Sequence, residues 1–272
     1  IQWVRSAGGA STDGSTAIAV DATGNVYVTR YYAGTASFGG SNITSSGSND
    51  VFVAKYNSSG TIQWVRSAGG TGVDEGRGIA LDAAGNVYVT GYYQGTANFG
   101  GISRTSGGIY DIFVAKYNSS GTILWVQSAG GTGFDGGRGI ALDAAGNVYV
   151  TGNYEGTASF GSSTRTSAGD YDVFVAKYNS SGTLQWVQSA GGTSEDSGTG
   201  IALDAAGNVY VTGHYRGTAS FGGSNITSAG NYDVFVAKYN SSGTTLWVQS
   251  VGSILADESR SIALDATGNV YV

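Results

Sequence analysis

The sequence predicts an all-β chain made by repeating one four-stranded antiparallel unit, and three observations predict it. Trp3, Trp64, Trp125, Trp186 and Trp247 lie 61 residues apart, which divides the chain into four full repeats, 1–61, 62–122, 123–183 and 184–244, and a partial fifth, 245–272. Each full repeat holds four short runs rich in Val, Ile, Tyr, Phe and Trp, bounded by Gly, Asn, Ser and Asp. No window of about ten residues or more keeps a helical period.

Taken in order, one copy opens on residues 62–68, IQWVRSA, a strand that leads into a variable loop, 69–76. Two runs, 79–82 and 87–93, then flank the turn Asp82-Ala-Ala-Gly-Asn86. A long connection, 94–110, reaches residues 111–117, DIFVAKY, and Asn118-Ser-Ser-Gly121 turns the chain into the next Trp strand. Both turns put Gly where a short hairpin needs a left-handed residue. In DIFVAKY, Ile112 and Val114 point one way while Phe113, Ala115 and Tyr117 point the other, so both faces of each sheet need cover. Small sheets covered on both faces by copies of themselves are the blades of a β-propeller, and 1–272 reads as a single such domain. A stacked solenoid fits less well, since its coils carry no chain of antiparallel hairpins.

Composition narrows the function classes. A net charge of −6 argues against nucleic acid as partner. No apolar run is long enough for membrane insertion. Cys is absent, which removes disulfides, thiolate metal sites and cysteine nucleophiles. Only 12% of residues are charged, about half the usual share, so Ser, Thr, Asn, Gly and Tyr must solvate the surface. That balance points to an extracellular or cell-surface setting. The chain has neither a signal peptide nor an initiator Met, and it ends before the third strand of its last repeat. We therefore expect a segment of a longer chain, continuing with at least one DVFVAKY-like strand.

The strings GRGIALDAAGNVYVTG (76–91) and DIFVAKYNSSGT (111–122), carried in variants through every full repeat, resemble the bacterial SBBP-type repeat family, often described as seven-bladed β-propellers. The IALDAAGNVYV half is more weakly similar to the NHL repeat. The resemblance implies a propeller blade and an extracellular or cell-envelope location, and it implies no particular activity. The connection between second and third runs is longer than in that family. Its Phe38, Phe99, Phe160 and Phe221 are expected to pin an extra hairpin or flap.

Up-and-down strand order would place the Asp-Ala-Ala-Gly-Asn and Asn-Ser-Ser-Gly turns at one end of each sheet and the two longer connections at the other. Nearly all divergence between copies falls in those longer connections, for example TGVDEGR (71–77) against TSEDSGT (193–199), and ISRTSGGIY (102–110) against SNITSAGNY (224–232). Loops on a rigid scaffold are where binding is usually placed, although relaxed constraint also produces divergence. Within these loops Asp13, Asp74, Asp135, Asp196 and Asp257 recur in every copy. A ring of them at a channel mouth could hold Ca²⁺. One carboxylate per blade is a poor ligand set, however, and bonding to turn N–H groups, or pairing with Arg77, Arg138 and Arg260, is favoured.

Tyr31, Tyr32, Tyr92, Tyr93, Tyr154 and Tyr215 climb toward the variable end, where rings could stack on sugars or simply pack between blades. His214 is the single histidine, and no Ser-His-Asp set, transition-metal set or pair of acids in two distinct environments is visible. Asn42, Asn57, Asn118, Asn179, Asn225 and Asn240 match the N-glycosylation pattern, but in Asn-Ser-Ser-Gly the same residues are what a turn demands. The sequence thus points to a non-catalytic, extracellular or cell-surface propeller that serves as a structural or adhesive scaffold. The alternative is a module whose variable face binds a glycan or peptide, or self-associates; an enzyme with its site at the channel mouth is the least favoured reading. No metal or cofactor is called for beyond the Ca²⁺ option.

Overall fold

The computed structural model describes residues 2–272, in which every regular element is a strand and every pairing is antiparallel. The chain forms two compact units, 1–128 and 129–272. Each unit holds two four-stranded groups, as the repeat demands. In the first unit the groups are Ala17–Val20, Val26–Phe38, Ser41–Tyr56 and Ile62–Gly70, then Glu75–Leu81, Val87–Tyr93, Asp111–Tyr117 and Ile123–Ala129. In the second they are Gly136–Leu142, Val148–Phe160, Ser163–Tyr178 and Leu184–Gly192, then Ser197–Leu203, Val209–Phe221, Ser224–Tyr239 and Thr245–Val251. The partial fifth repeat adds the two-residue pair Ala263–Leu264 and Val270–Tyr271. No sheet closes on itself, and the arrangement within each unit is consistent with propeller blades. The strand expected at 1–7 is paired only over Ala7–Gly9; Ile1 lies outside the described residues.

Both short turns are built by their first side chain. Asp82 Oδ1 accepts the N–H groups of Ala84 and Asn86, its Oδ2 accepts Asn86 Nδ2 at 2.7 Å and the Tyr88 hydroxyl at 3.1 Å, and Gly85 takes φ +77°. Burial pushes the Asp82 carboxyl up, but these bonds outweigh it and hold it below the ordinary carboxylate range. Asn118 does the same through Oδ1, accepting from Ser120 and Thr122, with Gly121 at φ +76°.

The long connections are not loops. Val26–Phe38 and Ser41–Tyr56 pair on both sides of an irregular bulge in which Gly34 stands against residues 45–48, so the predicted flap is a continuation of the central hairpin. Past the bulge the flap bends back. Ala36 and Phe38 are buried with Phe52, Ala54, Tyr56 and Val65, and Phe38 lies 4.8 Å from the Phe52 ring. A methyl on Gly39, at the flap tip, would lie 3.3 Å from Ile62, which starts the fourth strand beside the Asn57 turn. This corrects the expectation that the two variable connections share one end: burial of the Phe carries the flap tip to the opposite end. Only the flap base, around Gly47, stays against the other connection, at Thr71. Asp74 and Asn118 do sit at opposite ends, because Asp111 pairs with Tyr93 and Tyr117 with Val87.

Neighbouring groups in a unit are stitched together. The fourth strand of the first group ends in Gly69 and Gly70, which pair with Asn98 and Ala97 on the next group's flap; Gly191 and Gly192 pair likewise with Ser220 and Ala219. Outer-strand edges, otherwise open to aggregation, are capped this way. Trp64 and Trp186 stand on outer strands and donate through Nε1 to Ser119 O and Ser241 O in the next Asn-Ser-Ser-Gly turn, each at 3.1 Å.

Candidate functional site

The recurrent loop aspartates are each taken up by backbone N–H groups near their own loop. Asp74 is wholly buried, with Oδ2 accepting Gly70 N–H at 2.8 Å and Oδ1 accepting Gln94 N–H at 3.1 Å. Asp135 takes Gly131 and Glu155, Asp196 takes Gly192 and Arg216, and Asp13 takes Gly9 and Ala33 in the same way; Asp257 accepts Ser253 N–H. These bonds tie the variable connection to the flap base, which is the turn role. Nor do Asp74 and Asp257 pair with the arginines three residues on. Arg77 pairs with Glu75 at 2.7 Å, Arg138 Nε donates to Asn153 Oδ1 at 3.0 Å, and Arg260 pairs with Glu258 at 3.2 Å. Among the described residues no three His, Cys, Asp or Glu side chains gather as a metal site.

The tyrosines split by strand parity. Tyr32, Tyr93, Tyr154 and Tyr215 are wholly buried, each with its hydroxyl on the Ser of the fourth strand, as Tyr154 on Ser189. Tyr154 is therefore no surface residue, contrary to its candidacy for the binding face. Tyr31, Tyr92, Asn153 and His214 occupy the preceding position and the other sheet face. Tyr92 is held there by Arg77, whose Nη2 donates to its hydroxyl at 3.1 Å, and its ring meets Tyr110 edge-on. The glycosylation candidates also divide: Asn57, Asn118, Asn179 and Asn240 are half-buried turn residues, whereas Asn42 and Asn225 stand exposed on flaps.

In the second unit, this last column opens into a cleft of about 310 Å³. Asn153 and His214 lie on second strands, Arg138 and Ser197 on first strands, and Tyr171 and Tyr232 at flap bases; Phe134, Glu195 and Glu258 come from the variable connections. Phe134 meets Tyr171 edge-on at 5.9 Å, and His214 meets Tyr232 edge-on at 5.1 Å. Tyr232 donates its hydroxyl to Glu195, and this bond, with burial, raises Tyr232 to about 12. Burial lowers the His214 imidazole, although Glu258 opposes the shift, so the ring is neutral at neutral pH.

Two polar atoms on this wall, His214 Nδ1 and Ser197 Oγ, are buried and have no hydrogen-bond partner. The sequence pointed to His214 alone. The signal for the rest was position-by-position divergence at the 61-residue spacing: Ser197 answers to Glu75, Gly136 and Glu258, and Glu195 to Val73, Phe134 and Ala256.

Residues 63–99 and 185–214 match the family model of the SBBP β-propeller repeat. Two segments of the chain, then, match the SBBP β-propeller repeat. The second SBBP segment ends on His214 and contains Ser197. Among curated proteins the repeats are similar to an uncharacterized WD repeat-containing protein of Acanthamoeba polyphaga mimivirus, 27% identical over 71% of this chain and 17% of that protein. They are also similar to the regulatory protein FlaEY of Caulobacter vibrioides, 27% identical over 62% of this chain and 20% of that protein. The chain thus spans about a fifth or less of the curated relatives it matches. Among solved structures, a protein of unknown function from Bacteroides caccae matches with a TM-score of 0.41 and 11% identity, over 90% of this chain and 85% of that one. No helix among the described residues is long and apolar enough to cross a membrane.

Proposed function

We propose that this SBBP-repeat chain is a non-catalytic binding module that holds a neutral, hydroxyl-rich ligand, such as one ring of a glycan, in the cleft around His214. The carrying observation is the pair of orphaned polar atoms, Ser197 Oγ and His214 Nδ1, on one wall. Leaving such atoms unpaired in a dry site costs about 1–3 kcal/mol each, and a ligand hydroxyl can both give and accept there. The rings of Phe134, Tyr171 and Tyr232 supply apolar faces for the C–H side of a sugar. Glu195 is committed to Tyr232 and Glu258 to Arg260, an arrangement suited to holding a ligand and not to moving protons.

The setting we propose remains an extracellular or cell-surface scaffold, with this chain one module of a longer protein. The constant turns support the scaffold half of that reading, since they are consumed by internal bonds from Trp64, Arg66 and Trp186. A peptide is the second ligand class, supported by the arginine and the two glutamates at the rim.

Saturation-transfer NMR against a panel of neutral mono- and disaccharides tests the proposal. At least one sugar is expected to bind, with affinity falling about tenfold in Ser197→Ala and in His214→Ala, as for loss of one hydrogen bond of about 1.4 kcal/mol. Binding that ignores both substitutions, or no sugar binding at all, would refute it.

A further inference from the structure

Asp50 and Asp172 open the inward part of the third strands and are almost wholly buried, 1% and 3% exposed. Asp50 Oδ2 accepts Ser46 N–H at 3.0 Å and the Ser67 hydroxyl at 3.5 Å; Asp172 Oδ2 accepts Ala168 N–H at 3.1 Å and the Ser189 hydroxyl at 3.5 Å. The other oxygen, Oδ1, is buried in both and has no partner. Asp111 and Asp233 leave the same atom over, so the orphan belongs to the repeat and not to one side chain.

What faces the orphan is a second carboxylate. A methyl group on Gly69 would lie 2.7 Å from Asp50 Oδ1 and 2.8 Å from Asp74 Oδ2, and one on Gly191 would lie 2.5 Å from Asp172 Oδ1 and 2.9 Å from Asp196 Oδ2. In each junction the two carboxyl groups converge on one glycine, whose missing side chain leaves them room. Two buried carboxylates in such proximity do not both stay ionised. A cation is a poor answer: Ca²⁺ takes six to eight oxygens, while Asp74 and Asp196 already spend both of theirs on backbone N–H groups. A carboxylic acid hydrogen gives the orphaned pair its missing donor and removes the repulsion.

We propose that the Asp50–Asp74 and Asp172–Asp196 pairs each hold one proton between them at mildly acidic pH, so that these repeats bind exchangeable protons in their cores and tighten as the medium acidifies. Burial raises Asp74 to about 6, with Asp50 adding to it, and Asp196 to about 7, with Asp172 adding to it; burial also raises Asp50, and raises Asp172 to about 6. The surrounding titratable groups are Tyr32 and Tyr93 about the first pair and Tyr154 and Tyr215 about the second, with Arg104 acting on Tyr93 and Arg165 on Tyr154. Glu75, next to Asp74, is taken by Arg77, and Glu195, next to Asp196, by Tyr232. An unfolded Asp titrates near ~3.9, so folding takes up protons above that pH. The contribution of these pairs to stability is fullest at and below pH ~4, falls as pH rises through 6 and 7, and then levels off.

Thermal melting of the full chain at pH 5.5 and 8.5 tests this, alongside Asp50→Asn/Asp172→Asn, whose amides keep the shape and supply a permanent donor. The wild-type midpoint is expected to be higher at pH 5.5 by about 5 °C, and that gap to shrink by more than half in the double variant. Infrared spectra at pH 5.5 should show a protonated-carboxyl band that is weaker in the double variant, and this readout on the wild type stands even if the variant folds poorly. No such band, or equal pH gaps in both proteins, would overturn the proposal. So would Ca²⁺ raising the wild-type midpoint at pH 8.5 but not the variant's, which would make a cation the occupant.

Discussion

Trp64→Ala is expected to destabilise the protein by about 3–5 kcal/mol, the range for deleting a large buried aromatic side chain. Trp64 is 9% exposed and sits edge-on to Tyr27 at 6.2 Å. Its indole lies over Gly121 of the next group and donates to Ser119 O, while Arg66 beside it bonds Gly121 O and Ser120 O. Truncation therefore opens a cavity within one sheet and releases the turn of its neighbour at the same time. Trp3 makes the matching bond to Ser58 O but is less buried, so Trp3→Ala should cost clearly less. Equilibrium denaturation in urea measures both, and a Trp64→Ala loss below about 1 kcal/mol would contradict the packing described.

Gly70→Ala should be among the most damaging single-methyl changes, costing about 3 kcal/mol or more, at or beyond the usual range for overpacking. The added carbon would lie 2.0 Å from the carbonyl oxygen of Thr96, and backbone cannot rotate away as a side chain could. To make room, Gly69 and Gly70 would have to leave Asn98 and Ala97, and Gly70 N–H would leave Asp74. The capped edge would open and a buried carboxylate would lose a donor. Hydrogen exchange at Asn98, which pairs with Gly69 as Ser159 bonds Gly130 in the next junction, reads the pairing directly. Unchanged protection there, with an unchanged denaturation midpoint, would show that the stitch is dispensable. Gly9, Gly131 and Gly192 approach Thr35, Thr157 and Thr218 in the same way, which gives the Gly-Gly at this place in the first four repeats a steric reason.

The strands and both short turns were legible because their causes are local. Alternating apolar residues in DIFVAKY, the Asp82 side chain closing on Asn86, and Gly85 and Gly121 at positive φ act within a few residues of each other. The flap was legible as a hairpin pinned by Phe99, but not in its direction. That depended on a bulge and on where a buried surface for Phe38 or Phe99 was available. Parity also decided the tyrosines: a shift of one residue along the second strand moves a ring from the surface column of Tyr92 to the core position of Tyr93, and Tyr154 belongs to the latter.

Period, strand content and turn chemistry were determined by the sequence alone, since each follows from spacing and from interactions between near neighbours. The tertiary structure decided what no local rule contains. Asp50 and Asp74, 24 positions apart, meet at Gly69, and Ser197 and His214 meet Arg138 and Tyr232 in one cleft. The reason is geometric: the repeat sets which residues lie at a sheet's end, but only the packing of one sheet on the next sets which of them face each other and which are left without a partner.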